Sequence, residues 1–157
     1  MIQFKTVTRD NFKAIIHLKV APEQEEFVAT NLFSLAQSYV ALLNDPVPPM
    51  SFGIYEEDTL VGFIMMVYTA AEDNEFADEA IYSIDRFMMG EAFQNKGLGR
   101  KAFAEALNYL KTLPHGPATA IYTSYEPDNH VAKNLYAQFG FIEFAEDAGE
   151  SVARLEL

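Results

Sequence analysis

The segment Phe87-Met88-Met89-Gly90-Glu91-Ala92-Phe93-Gln94-Asn95-Lys96-Gly97-Leu98-Gly99-Arg100 holds the residues best suited to chemistry. Glycines at 97 and 99 let the chain turn tightly and leave main-chain N–H groups unobstructed, and a helix starting there adds the positive end of its dipole. Such a turn binds phosphate, and Lys96, Arg100 and Lys101 would strengthen its hold on a polyphosphate. The plainer alternative is a glycine pair that only lets a strand turn into a helix. Two other residues could move protons. Asp85 lies just upstream, where strand parity puts it on the side of Phe87 and Met89, and a carboxylate there could act as a base or simply be solvated. Tyr136 has an unperturbed pKa of about 10 and stays protonated at neutral pH, as a proton donor must, but its place on an apolar helical stripe also suits a core tyrosine. His115 and His130 read as a loop residue and a helix-start residue rather than bases, and the three histidines show no ligand-like spacing. With no cysteine in the chain, disulfides, thiolate nucleophiles and zinc-thiolate sites are excluded.

These groups need a scaffold, and periodicity outlines one. Ile2 to Thr8 alternates as a half-buried strand, and Asp10 can cap a short helix with Phe12, Ile15 and Ile16 on one side. After the acidic connection Ala21 to Glu26, the helical spacing of Leu32, Leu35, Ala36, Tyr39 and Leu43 predicts a helix that stops at Asn44-Asp45-Pro46. Ser51 to Tyr55 and Leu60 to Tyr68 form a hairpin whose apolar second strand is central. An acidic loop from Ala71 to Glu79 leads into a strand over Ile81 to Met89. Gly97-Leu98-Gly99 then opens a helix with Phe103, Ala106, Leu107 and Leu110 inward, and Ala118 to Tyr125 is a further strand. Ala132, Leu135, Tyr136 and Phe139 mark a helix closed by Gly140, and Phe141 to Ala145 with Ser151 to Leu157 makes a last hairpin.

Composition bounds the class. A chain of 157 residues, 50% of them hydrophobic, suits one domain, residues 1 to 157. It has no membrane-length apolar run and no signal-peptide layout, so the expectation is a cytoplasmic protein without a membrane partner. A net charge of −12 argues against nucleic-acid binding. Every charged residue from Val20 to Asp85 is acidic, whereas Arg86, Lys96, Arg100, Lys101 and Lys111 make the stretch that follows basic. The first region should attract cations and the second anions.

Two phosphate signatures overlap at the glycine turn. Gly97-x-Gly99-x-x-Ala102 fits the looser dinucleotide fingerprint, but that motif needs a strand running straight into the first glycine of a parallel βαβ unit, and here Glu91 to Lys96 intervenes after an antiparallel hairpin. Gln94-x-x-Gly97-x-Gly99 after a strand resembles the pyrophosphate signature of the GNAT superfamily of acetyl-CoA-dependent N-acetyltransferases. Asn129, Ala132, Leu135-Tyr136 and Gly140-Phe141 resemble its second signature, and the matched span runs from Ile81 to Phe144. Asp85-Arg86-Phe87 with the turn looks most like bacterial polyamine acetyltransferases and their spermidine/spermine relatives.

The resemblance implies an α/β fold of α+β type, with a mixed central sheet of about six to seven strands flanked by about four helices. It implies acetyl-CoA as cofactor. The backbone of Phe87 and Met89 would pair with pantetheine and polarise the thioester. The N–H groups of Gln94, Asn95, Lys96, Gly97, Leu98, Gly99 and Arg100 would hold the pyrophosphate, and Asn129 would bond the pantetheine arm. Tyr136 matches the general acid. Asp85 stands where spermidine/spermine enzymes place a glutamate base that acts through water, and Glu23, Glu25 and Glu26 lie in the connection that borders the acceptor pocket. The implied reaction is direct transfer to a small cationic amine, a polyamine in the family pattern, with a homodimer as a family expectation. A protein N-terminus, a lysine, an aminoglycoside or an amino acid are rival acceptors, and a non-catalytic acyl-CoA-binding module is the rival from another class.

Overall fold

The computed structural model describes residues 1–157. Segments rich in β-branched and aromatic residues pair into one seven-stranded sheet of order β1-β2-β3-β4-β5-β7-β6. The strands are β1 (Ile2–Thr6), β2 (Met50–Glu56), β3 (Thr59–Thr69), β4 (Ile81–Met89), β5 (Ala120–Tyr125), β6 (Ile142–Asp147) and β7 (Glu150–Glu156). All neighbours are antiparallel except β4 and β5, whose connection carries a helix, as a parallel crossover requires. The four helices are α1 (Phe12–His17), α2 (Asn31–Asn44), α3 (Leu98–Lys111) and α4 (His130–Gln138).

The core follows from which side of each element is apolar. Leu98, Ala102, Phe103, Ala106, Leu107 and Leu110 of α3 and Tyr136 of α4 pack with Ile64, Met66, Tyr82 and Ile84 on one face of the sheet. On the other face Ile15 of α1 and the half-buried Leu35 of α2 cover Phe63, Met65 and Met88. Strand β3 is covered on both sides, which explains its nearly unbroken apolar run. A Cβ on Gly62 would lie 2.4 Å from the carbonyl oxygen of Met88, so glycine is required for the close approach of β3 and β4.

One local expectation is corrected. Asn11, not Asp10, occupies the cap position of α1, where its amide binds Thr8 N at 2.7 Å and Thr6 O at 3.0 Å. On α2 the apolar stripe faces out, with Leu32 58% and Leu43 66% exposed. Polar contacts set the helix's rotation. The Asn31 amide donates to Ile15 O at 2.9 Å, and Ser38 Oγ lies 2.8 Å from Ser51 Oγ. Satisfying buried polar groups outweighs covering a few exposed apolar side chains.

Strands β4 and β5 pair only from Ile81↔Ala120 to Ile84↔Thr123, although β4 runs on to Met89 and β5 to Tyr125. Beyond that point they part. A β-bulge stands at the same place, since Met66 pairs with Ile84 and Met65 with Arg86, leaving Asp85 as the extra residue.

Candidate active site

A cleft of about 910 Å3 lies at this fork. Its walls are the ends of β4 and β5, the acidic connection after α1, the glycine turn and the first residues of α4. From Asp85 onward β4 lacks a partner on its β5 side, so its edge is open to pairing with an extended ligand. Phe87 and Met89 both line the cleft there.

The glycine turn supplies the donors. Gly97 adopts φ 74° as the cap of α3, and Asn95 adopts φ 59°, the left-handed region in which Gly and Asn are least strained. Main-chain N–H groups from Asn95 through Arg100 donate to no acceptor in the chain, and the next one, of Lys101, bonds Gly97 O at 3.3 Å. They stand at the positive end of the α3 dipole, an arrangement suited to a diphosphate. Gln94 braces the turn, its Nε2 donating to Gln24 Oε1 at 2.6 Å and to Met89 O at 3.0 Å. The charged side chains flank the cleft and do not line it. Lys96 Nζ donates to Ala92 O at 2.8 Å, and Arg100 donates to Gln138 Oε1 while its guanidinium stacks 5.5 Å from the Phe139 ring. Leu98 buries its side chain in the core. The dinucleotide alternative does not hold: β4, α3 and β5 do form a parallel unit, but the 3-10 turn at Glu91–Phe93 separates β4 from the glycines, so no strand runs straight into the first of them.

Asp85 and Tyr136 face the same cleft from opposite sides of the fork. The parity expected for Asp85 is corrected by the bulge. Phe87 and Met89 pack against the main core with Ile84, so alternation slips by one and Asp85 falls on the side of Ser83. Ser83 Oγ donates to Asp85 Oδ1 at 2.7 Å, and the other carboxylate oxygen accepts no bond within the chain. Asp85 is exposed on the cleft side, while the protein packed around its carboxyl withdraws it from water and pushes it above the usual range. The Tyr136 ring packs on Phe103 and Tyr125 at 5.0 and 5.5 Å. Burial pushes its phenol up to about 12, with the Thr123 hydroxyl opposing the shift and the Glu150 charge adding to it. Asn129 caps α4 by accepting from Ala132 N at 3.2 Å, so its oxygen is engaged and its amide N–H groups remain available to the cleft.

Glu23, Glu25 and Glu26 line the opposite rim, beside the 3-10 turn Pro22–Gln24. His130 also lines the cleft, whereas His115 stays in a loop, where its N–H donates to Tyr82 OH at 2.9 Å. Sequence reasoning missed Gln24, Ser124 and Glu150. Glu150 was hidden by its distance along the chain, yet the pairing of Ser151 with Tyr125 puts the start of β7 beside the parting end of β5. Its charge bears on both Asp85 and Tyr136.

Comparison with known proteins agrees with this geometry. Residues 11–141 match the profile of the Acetyltransferase (GNAT) family. The chain is 32% identical over 140 residues to the spermine/spermidine N(1)-acetyltransferase of Bacillus subtilis, covering 89% of this chain and 87% of that protein. Among solved structures, the PaiA N-acetyltransferase of Thermoplasma acidophilum in complex with coenzyme A superposes with TM-score 0.69 at 14% identity, over 100% of this chain and 99% of the other. A Bacillus subtilis acetyltransferase in complex with CoA gives TM-score 0.65 at 16% identity, over 99% and 97%. At these identities the likeness establishes the fold, a single GNAT-like α/β domain. Sequence profile, relative and fold converge, and the chain belongs to the GNAT family of acetyltransferases.

Proposed function

We propose that this enzyme, an acetyl-CoA-dependent N-acetyltransferase by its family, transfers the acetyl group directly to a primary amine of a polyamine. One observation carries the cofactor half of this reading: the unengaged N–H groups of Asn95 to Arg100 line up at the start of α3, beside a cleft that also holds Asp85 and Tyr136. Donors already oriented and lacking acceptors suit a diphosphate better than any neutral ligand. The open β4 edge at Phe87 and Met89 would pair with the pantetheine arm, and the Asn129 amide would donate to it from α4. When bound, acetyl-CoA supplies an acetyl thioester with a thiolate leaving group.

The chain's own residues do the rest. A polyamine nitrogen has a lysine-like pKa and arrives protonated, so it must lose a proton before it attacks. Asp85, with one oxygen held by Ser83 and the other free, accepts that proton directly or through one water in the cleft. Tyr136 donates its phenolic proton to the departing thiolate, and the raised pKa keeps that proton in place until then. The absence of cysteine, the thiol that would carry the acetyl group between two half-reactions, supports the ternary route. The polyamine assignment is supported by the acidic rim at Glu23, Glu25 and Glu26 and by the 32% identical relative named for spermine and spermidine.

The test is thiol release from acetyl-CoA across a panel of spermidine, spermine, a lysine peptide, a free peptide N-terminus and an aminoglycoside. Polyamines should give the highest kcat/KM. A better turnover of any other acceptor rejects the polyamine assignment and leaves the cofactor reading standing.

A further inference from the structure

A smaller cavity of about 260 Å3 opens off the fork, sharing Ile84, Asp85 and Ser124 with the main cleft. Its outer walls are Glu75 and Phe76 from the loop between β3 and β4, and Asp147 at the end of β6. The cavity is held in shape. Glu79 accepts from Arg154 Nε at 2.8 Å and Nη2 at 2.9 Å, from Thr119 Oγ1 at 2.6 Å and from Tyr122 OH at 2.7 Å. Asn74 Nδ2 donates to Glu79 O at 2.9 Å, and Phe76 packs edge-on against Tyr122 with ring centroids 6.2 Å apart. The acidic loop is thereby pinned to β5 and β7.

No Lys, Arg or His lines this cavity. Glu79 is consumed by Arg154, but Asp73, Glu75, Asp85 and Asp147, which all face the cavity, form no ion pair. Carboxylates around a shared space repel one another, and the complementary occupant is a cation with an apolar stem: the acids take the charge, and the rings of Phe76 and Tyr122 take the methylenes. The cavity shares Asp85 with the main cleft, so a chain extending from an acceptor nitrogen placed at Asp85 can run into it or along the cleft.

We propose that this side cavity holds the distal ammonium group of a di- or polyamine acceptor, with Glu75 and Asp147 selecting acceptors that carry a second positive charge. The inference rests on the polyamine reading above and adds the subsite that distinguishes polyamines from simple amines. Both residues are exposed and their neutral isosteres leave no hole, so the fold is not at stake.

The experiment compares kcat/KM for spermidine and for butylamine in the parent enzyme, in Glu75→Gln, in Asp147→Asn and in the double variant, with melting curves alongside. The spermidine-to-butylamine ratio should drop about threefold in each single variant and about tenfold in the double, through KM rather than kcat, the scale of exposed charge pairs. A ratio within about twofold of the parent in the double variant, with spermidine still acetylated, overturns the subsite alone. Failure to acetylate spermidine at all, in a parent enzyme that turns over another amine, overturns the polyamine reading and this subsite together.

Discussion

Tyr136 serves the core and the cleft at once, being 7% exposed, packed on Phe103, and open to the fork. Replacing it by Phe keeps the ring contacts and removes only the proton. Tyr136→Phe should lower kcat about a hundredfold, the scale of general acid catalysis, with coenzyme A affinity unchanged by calorimetry. An unchanged kcat would return the residue to a purely structural role. Asp85 answers to a different measurement. Its carboxyl is raised by burial, so as a base it becomes active only as pH rises through a value above the ordinary carboxylate range. Asp85→Asn should remove that rising limb from the pH profile of kcat/KM. The same shift has a stability sign. A raised pKa in the folded state contributes stability below the unfolded pKa that is lost as pH rises through the folded one, so the ionised group is a liability at neutral pH. Asp85→Asn should therefore not lower the melting temperature at pH 7 while activity falls. A lower melting temperature would mark Asp85 as a structural carboxylate.

The fork between β4 and β5 is what the elements contribute, and it depends on β3 holding β4 at close range. Gly62→Ala would put a methyl group 2.4 Å from Met88 O and push β4 outward. Urea unfolding should show a loss of about 2–3 kcal/mol, with weakened coenzyme A binding because Phe87 and Met89 move with the strand. A neutral substitution would mean that the two strands have room to spare. The elements themselves were legible: β4 falls at Ile81–Met89 as periodicity indicates, and α3 buries the stripe that its spacing predicts. The bulge was not, because alternation along one strand says nothing about a partner's register. Strand parity therefore puts Asp85 on the wrong side, although its position at the fork makes it a lining residue all the same. The rotation of α2 was illegible for a related reason, since Asn31 and Ser38 find their partners in α1 and β2, and a hydrophobic pattern cannot report such contacts.

At the scale of the whole molecule, the sequence revealed an acidic half and a basic segment, but not which acids were free and which were spent. Glu79 is spent: it joins the β3–β4 loop to Thr119, Tyr122 and Arg154, closing the sheet across residues far apart in the chain. The Arg154 guanidinium, first among its partners, lowers the Glu79 carboxyl to about 2. A depressed folded pKa contributes stability that is present above the unfolded value and lost as pH falls toward the folded one. Its side chain is 15% exposed but lies near the sheet surface, so water screens part of this effect and about 2 kcal/mol is a reasonable scale. With a net charge of −12, acidification also relieves general repulsion and so stabilises the fold, the opposite sign. A single acid titration would mix the two. The difference between parent and Glu79→Gln separates them, because general repulsion is nearly common to both. Urea midpoints should show the variant weaker by about 2 kcal/mol near neutral pH and the gap closing from about pH 4.5 downward. A gap that stays constant down to about pH 2.5 would mean that Glu79 holds the sheet through hydrogen-bond geometry rather than through its charge.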